Sequence, residues 1–369
     1  MKLGFCEVFD DYTSRCRKIP KEEYLSNGKY IVIDQGQNNI AGYTNIDDGL
    51  FEDVPAIVFG DHTRIIKYVD EPFFLGADGV KLLKSKIKDA NYKYLYYVLR
   101  NARIPDTGYN RHFKWLKEIN LEYKDAESQK NIVKTLDTVT NIIELYKVEL
   151  SKLDNLIRAR FFELFGDLVE GDKIKENRRK IGDIASVTKL AGFEFTKYIK
   201  YKDIGSIGDV IMLRGLNCKR GKIILDDIKW IERETSDLLP RSKLYIGDIL
   251  ITYAGTIGDV ALVDEDNKYH LAPNVGKITI IDKLSYDPVF LVHLLMYSNK
   301  YIMSFVSKVA QASINMQKIR NFEYYFPGFE KQKYFSTFVE QVNKSKVEVQ
   351  KALDKAQLLF DSLMQKYFG

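Results

Sequence analysis

The residues from Gln129 to Gly166 recur without a gap, 203 positions later, as Gln332 to Gly369. Both copies open on Gln-Lys and close on Phe-Gly, and Val139/Val342, Leu150/Leu353, Lys152/Lys355 and Leu156/Leu359 are identical between them. The apolar rhythm agrees better than the letters. In the first copy Ile132, Leu136, Val139, Ile143, Tyr146, Leu150, Leu153, Ile157 and Leu164 step by alternating four and three, with Arg160 the polar interruption. The second runs through Phe335, Val339, Val342, Val349, Leu353, Ala356, Phe360, Leu363 and Tyr367, with Lys346 out of pattern. A 3.5-residue period sustained this long predicts a supercoiled seam rather than a helix resting on a globular core. Roughly 38 residues at about 1.5 Å each make a rod of about 55–60 Å. Unrelated surface helices would leave two matching seams bare in water, so the copies are expected to pair with each other, antiparallel, within one chain. Domain, long helix, domain, long helix is a pseudo-two-fold repeat, which suits a partner with two half-sites.

With 369 residues the chain has length for two or three domains, and its 24 Tyr and 21 Phe are more than a disordered chain carries. Cys6, Cys16 and Cys218 are scattered without a CxxC, which predicts neither a disulfide framework nor a zinc site. The start MKLGFCEVFDDY lacks an apolar signal-peptide core, and no run of about 18 apolar residues occurs. The expectation is a soluble cytoplasmic protein with no membrane partner. A net charge of +5 only weakly favours nucleic acid.

The segments before each long helix also resemble one another. Thr63 in FGDHTRIIKYVDE matches Thr256 in YAGTIGDVALVDE, LGADGVKLLK parallels LAPNVGKITI, and NYKYLYYVLRN parallels DPVFLVHLLMYSN. Alternating runs such as KYIVID, GDILITYA, VALVDE and GKITII, bounded by Gly, Asp and Asn, predict strands. Residues 91–101 and 287–305 predict helices. The reading is an α+β chain of two tandem strand-rich domains, 1–123 and 180–327. Each is followed by its helical part, a first helix with a charged connector over 124–179 and a second helix over 328–369.

The tools of catalysis are missing from the pattern. There is no GxxxxGK[ST] loop, no GxGxxG, no Asn-Pro-Pro-aromatic string, and His62, His112, His270 and His293 stand apart without HExxH or a Cys/His cluster. Acidic strings such as LDDIKWIERE fit a metal nuclease only by force. No catalytic or metal-binding residue is assigned, and the chain reads as one that binds and positions.

Binding chemistry is present. LRGLNCKRGK gathers Arg214, Asn217, Lys219, Arg220 and Lys222 around glycines. Arg and Asn are the side chains that make bidentate contacts to guanine and adenine edges, and Lys contacts phosphate. A solvated turn is the alternative. TYAGTIG places Thr252, Tyr253 and Thr256 where a strand enters a tight Gly turn, which lets backbone amides approach phosphates. QASINMQK adds Gln311, Ser313, Asn315 and Gln317. In the first domain DQGQNNIAGYTN offers Gln35, Gln37, Asn38, Asn39 and Tyr43, GDHTR offers Arg64, and TGYNRHFK offers Tyr109, Arg111 and Lys114. KLLKSKIK supplies basic charge or is simply an exposed strand.

The order of these parts, with IDQGQNNIAGYTN, FGDHTR, GADG, GDILITYAGTIGDVALV, LAPNV and the two QK…FG helices, resembles the DNA specificity (S) subunit of type I restriction–modification systems. The resemblance covers essentially the whole chain. It implies two target-recognition domains, each reading one half of a bipartite double-stranded DNA site, spaced by an antiparallel coiled coil. It also implies two methyltransferase (M) subunits and restriction/translocase (R) subunits as partners. S-adenosylmethionine, ATP and Mg would belong to those partners, with no cofactor in this chain. The same fold in a type II-like restriction–methylation system, and a coiled-coil protein-binding scaffold without a DNA role, are the alternatives.

Overall fold

A computed structural model describes residues 1–76, 79–108, 110–169, 178–307 and 312–369. The chain divides into two compact units, one of Met1–Val148 with Gln350–Gly369 and one of Glu149–Val349. Among the described residues no helix is long and apolar enough to cross a membrane.

The first unit opens on the strand Lys2–Gly4, paired antiparallel with Asn120–Glu122, and then builds two four-stranded sheets. One runs in the order Phe9–Asp11, Val80–Ser85, Ala56–Gly60, Ile66–Val69. The other runs Lys18–Ile19, Phe73–Gly76, Tyr30–Ile33, Gly42–Thr44, with its central pair parallel. The helix Tyr92–Arg100, capped by the Asn91 carboxamide accepting from Tyr94 N at 3.1 Å, covers the first sheet. Its Tyr94, Leu95, Val98 and Leu99 share a core with Ile57, Phe59 and Leu83 of that sheet.

The second unit repeats this plan. Arg178–Lys180 pairs with Glu323–Tyr325 as the opening strand of the first unit does with its partner. The main sheet has the same succession, Ala185–Lys189, Val275–Ile280, Ile249–Thr252, Val260–Leu262, and its other sheet, of three strands where the first unit has four, again holds a parallel pair, Val210–Leu213 with Tyr269–Leu271. The covering helix is Pro288–Tyr297, capped by the Asp287 carboxylate at 2.9 Å from Phe290 N. The repeat in sequence is thus a repeat of topology.

The long helices are Ala126–Phe165 and Phe329–Phe368, each of 40 residues and again 203 positions apart. Neither contains Gly or Pro, so nothing in them interrupts the backbone ladder. Gly166, with φ 64°, stops the first by entering the left-handed region, its N–H returning to Phe162 O at 2.9 Å. Each unit holds part of both helices. In the first unit Ile132, Leu136, Val139 and Ile143, from early in the first helix, share a core with Phe360 and Met364, from late in the second. In the second unit Ile157 and Phe161, late in the first helix, share a core with Phe335, Val339 and Val342, early in the second. The seam expected from the heptad needs the same correction in both copies: Phe161 is buried rather than Arg160, and Met364 rather than the half-buried Leu363. The Arg160 guanidinium instead reaches Glu163 at 2.7 Å and the Tyr334 hydroxyl at 2.5 Å. Where the helix meets a globular core, its natural 3.6-residue period carries the apolar face one position on from the strict heptad.

The Gln that opens each copy has a structural task. The buried Gln129 donates to Lys124 O at 2.8 Å, and the equally buried Gln332 donates to Pro327 O at 2.7 Å, the equivalent carbonyl. Gln332 also donates to Ser285 O at 3.2 Å and accepts from Asp287 N at 3.0 Å, tying the long helix to the cap of its covering helix. Gln332→Ala leaves these backbone groups buried without partners, so it should cost the second unit about 1–3 kcal/mol. Urea unfolding of the variant checks this, and a loss below about 0.5 kcal/mol would show the clasp to be dispensable.

Candidate nucleic-acid interface

The polar loops picked out by sequence converge at one edge of each unit. In the first unit the loop after Tyr30–Ile33 is stitched to the turn after Ala56–Gly60. Thr63 donates to Gln35 O at 2.7 Å and His62 N donates to Gln35 Oε1 at 3.2 Å. The approach is close enough that a Cβ on Gly60 would lie 2.3 Å from Thr63 Oγ1 and 2.9 Å from Gln35 Cβ, so that position admits no side chain. Asp61 N donates to Gly79 O at 2.7 Å and His112 N to Asp61 O at 2.8 Å, bringing in two further connections. In the second unit the equivalent connections meet again. Gly215 rests on Thr252 and Thr256, Tyr253 N donates to Asn274 O, and Ile314 N donates to Tyr253 O, both at 2.9 Å, beside an Ala254–Ser313 bridge.

Within the first unit Gln37, Asn38 and Asn39 are exposed and, with Arg64, Arg100 and Lys147, line a groove of about 900 Å³. The loop is held from beneath by the buried Lys67, whose ammonium donates to Asn38 O at 2.5 Å and lies 3.6 Å from Asp34. Burial pushes the Lys67 amine below its ordinary pKa, with Asp34 pulling it back up. Arg64 (φ 61°) is aimed by Asp106 at 2.7 Å, a carboxyl held below its usual range by the Gly108 N–H and then by Arg64. Gln35 serves as the stitch described above, and Tyr43 is half-buried on its strand. Arg111 is exposed, and the exposed Lys114 lies 4.1 Å over the Trp115 ring. Tyr109 and Gln311 lie outside the described residues.

Two assignments in the second unit are corrected. Asn217 is fully buried. Its Oδ1 accepts from Arg214 N at 3.0 Å and its Nδ2 donates to Ile224 O and Asp226 O at 2.8 and 3.0 Å, so it braces the loop from inside and cannot reach a base. Thr252 is buried too, its hydroxyl bonded to Thr256 O and accepting from Asp259 N at 3.0 Å. Arg214 is engaged by Asp227, carboxylate to guanidinium at 3.1 Å. Lys219 and Arg220 remain exposed on a hairpin, Cys218–Lys219 with Lys222–Ile223, turned by Arg220 (φ 48°) and Gly221 (φ 79°). Asn315 is exposed but caps the helix Met316–Arg320 through Lys318 N at 2.8 Å. Gln317, Ser313 and Thr256 lie along the same edge, and Tyr253 is half-buried with its ring 5.3 Å from Lys189 Nζ.

Sequence reading missed Asp61 and His112. Asp61 Oδ1 accepts from Phe113 N at 2.7 Å, and the His112 ring donates to Asp61 O at 2.9 Å. Asp61 stands beside Arg64 in GDHTR and His112 beside Arg111 in TGYNRHFK, and neither string distinguishes a brace from a contact residue. Among the described residues no three His, Cys, Asp or Glu side chains are grouped to hold a metal ion.

The sequence pattern that defines the type I restriction modification DNA specificity domain matches residues 4–155 and 177–358. The chain belongs to that family. A curated relative, the type I restriction enzyme EcoBI specificity subunit of Escherichia coli, is 23% identical over 278 residues. The alignment covers 69% of this chain and 58% of the relative, so the chain spans rather more than half that relative's length. The S subunit of a type I restriction–modification system from M. genitalium has the same fold, with a TM-score of 0.57 and 18% identity over 100% of this chain and 96% of that one. A chain from work on complex assembly and conformational transition of the type I R-M system gives a TM-score of 0.54 and 13% identity, over 100% and 97%. The two matched stretches each contain one strand-rich domain and most of its long helix, so the family's repeat and the structural repeat coincide.

Proposed function

We propose that this chain is the non-catalytic DNA specificity subunit of a type I restriction–modification enzyme. The observation that carries this is the same four-connection edge, rich in amides and guanidiniums, built twice from equivalent strands in a chain of that family. Each edge reads one half of a bipartite duplex site. In the first unit Gln37, Asn38, Asn39 and Arg64 supply groups suited to base edges. In the second unit the exposed Lys219 and Arg220 and the amides of Asn315 and Gln317 do so. The two long helices form an antiparallel coiled-coil spacer that sets the distance between half-sites. Methyltransferase subunits, carrying S-adenosylmethionine and acting on an adenine taken out of the stack, dock on the assembly, and restriction subunits join them.

The test is an exchange. Replacing residues 183–311 with the matching segment of a relative, in cells that carry the partner subunits, should change one half of the methylated sequence. The other half and the spacer should be unchanged when methylated adenines are mapped. Alteration of both halves, or of neither, would contradict the reading. A scaffold without a DNA role gives no methylation that follows the exchanged segment.

A further inference from the structure

Lys346 breaks the apolar rhythm of the second long helix, and the equivalent position in the first, Ile143, is buried in the first unit's core. The structure gives the exception a setting. The Lys346 side chain is only 14% exposed and is paired with Asp154 of the first long helix. A cavity of about 750 Å³ opens beside this pair, lined by Asp154 and Arg158, by the hairpin residues Arg220 and Lys222, and by His293 and Asn343. Its floor is apolar, with Val289, Val292 and Met296 from the covering helix.

Charge in this cavity is unbalanced. Lys222, an exposed residue of the hairpin, stands against Lys346; partial desolvation of its ammonium and then Lys346 push its amine below the ordinary lysine pKa, with Asp154 pulling it back up. Asp154 is spoken for by Lys346, and the Asp264 carboxylate at the edge accepts from the Tyr269 hydroxyl at 3.0 Å. Among the described residues Arg158, Arg220 and Lys222 have no carboxylate within ion-pair distance, with Glu340 the remaining acid on the wall. Asn343 Oδ1 is buried without a hydrogen-bond partner. A half-turn of that amide, which changes its shape little, presents two N–H donors instead. At the equivalent place in the first unit the polar side chains satisfy one another: Tyr97 bonds to Asp137 at 2.7 Å and Thr140 at 3.4 Å, at the positions Glu340 and Asn343 take in the second.

We propose that this cavity of the second unit is a phosphate site, with Lys222, Arg220 and Arg158 as its cationic wall, Lys346 behind that wall on Asp154, and Asn343 as a donor in its lining. A phosphate lodged against the Lys222 ammonium offsets its repulsion from Lys346 and gives the unpartnered amide a bond, and charge-assisted contacts of this kind are the strong ones. The chemistry suits a free phosphate or nucleotide and a backbone phosphate of duplex DNA alike. The inference shares Arg220 with the proposed half-site surface and otherwise rests on residues outside it.

The experiment uses the full chain and two variants, Lys346→Ile, which installs the residue of the first repeat, and Lys222→Gln. Inorganic phosphate and ADP, each against chloride at matched ionic strength, should raise the thermal midpoint of the wild type. The same anions should bind each variant at least tenfold more weakly by calorimetry. Lys346→Ile keeps a seam residue that the repeat already accommodates, so loss of binding there is not loss of folding. In a second arm, duplex binding is titrated with salt in the presence of the methyltransferase partner. A fall of about one to two in the salt slope for the variants, with no response to free anions, places a DNA phosphate in the site. A response to free anions alone assigns the site to a free phosphorylated ligand and leaves the DNA reading to its own test. No change in either arm overturns the proposal.

Discussion

Phe161→Ala should destabilise the second unit by about 3–5 kcal/mol, the usual cost of removing a fully buried aromatic ring. Phe161 sits where the first long helix meets the covering helix and the start of the second long helix. Its ring centroid lies 5.0 Å from Tyr297, 5.1 Å from Phe165, 5.3 Å from Phe335 and 5.9 Å from Phe290. The neighbours belong to three different helices, so the hole left by truncation cannot close by one side chain moving. Arg160→Ala, next door but on the half-exposed side with a surface ion pair, should cost far less than Phe161→Ala. Urea unfolding of both variants gives the comparison. Equal losses would mean that the strict heptad, and not the packed face, describes the helix.

Taking the pH from 7 to 5 should weaken the second unit through its buried histidines. His270 is fully buried on its strand, its Nδ1–H donating to Leu271 O at 3.1 Å and its Nε2 without a partner. Burial pushes its pKa down to about 4 from an ordinary 6.5. Below 6.5 the unfolded chain takes up a proton that the folded chain refuses, so stability is lost as pH falls and the loss levels off near 4. At about 1.4 kcal/mol per pH unit, His270 accounts for about 2 kcal/mol at pH 5. His293, pushed to about 4 mainly by burial and further by Lys222 and Lys346, adds to the slope in the same direction. Chemical denaturation at pH 7, 6 and 5 of wild type and His270→Leu should show the variant with the shallower decline. An unchanged slope would mean that acid acts on the second unit elsewhere.

The repeat, the two long helices and the strand-rich character of each unit were open to sequence reading because they rest on periodicity and on exact spacing. The helix positions Ala126–Phe165 and Phe329–Phe368 keep the offset seen in the letters. The polar loops were also visible, but not the direction of each side chain. Asn217 and Arg214 stand three apart in one glycine-rich loop, and composition treats both as hydrogen-bonding groups on offer. The fold spends Asn217 inward on three backbone groups and holds Arg214 on Asp227. Whether an amide satisfies its own loop or faces outward depends on backbone carbonyls that only the folded chain brings near. Lys346 was legible as an exception to the heptad, and its meaning required the hairpin lysine that the fold sets beside it.

The two units are written differently along the chain. The second is one unbroken stretch, Glu149–Val349, whereas the first needs Gln350–Gly369 to complete a core begun at Phe5. During synthesis the first unit's sheets emerge early, yet Phe360 and Met364 arrive only after the whole second unit has been made. At about 5–20 residues per second, roughly 200 intervening residues are a wait of about 10–40 s. Through that interval Leu136, Val139 and Ile143 have no partner helix, and the nascent chain carries an open apolar face that its own later residues must find before anything else does. The unit encoded first is therefore the one finished last, and slowed or interrupted translation should expose it, rather than its twin, to chaperones and proteases.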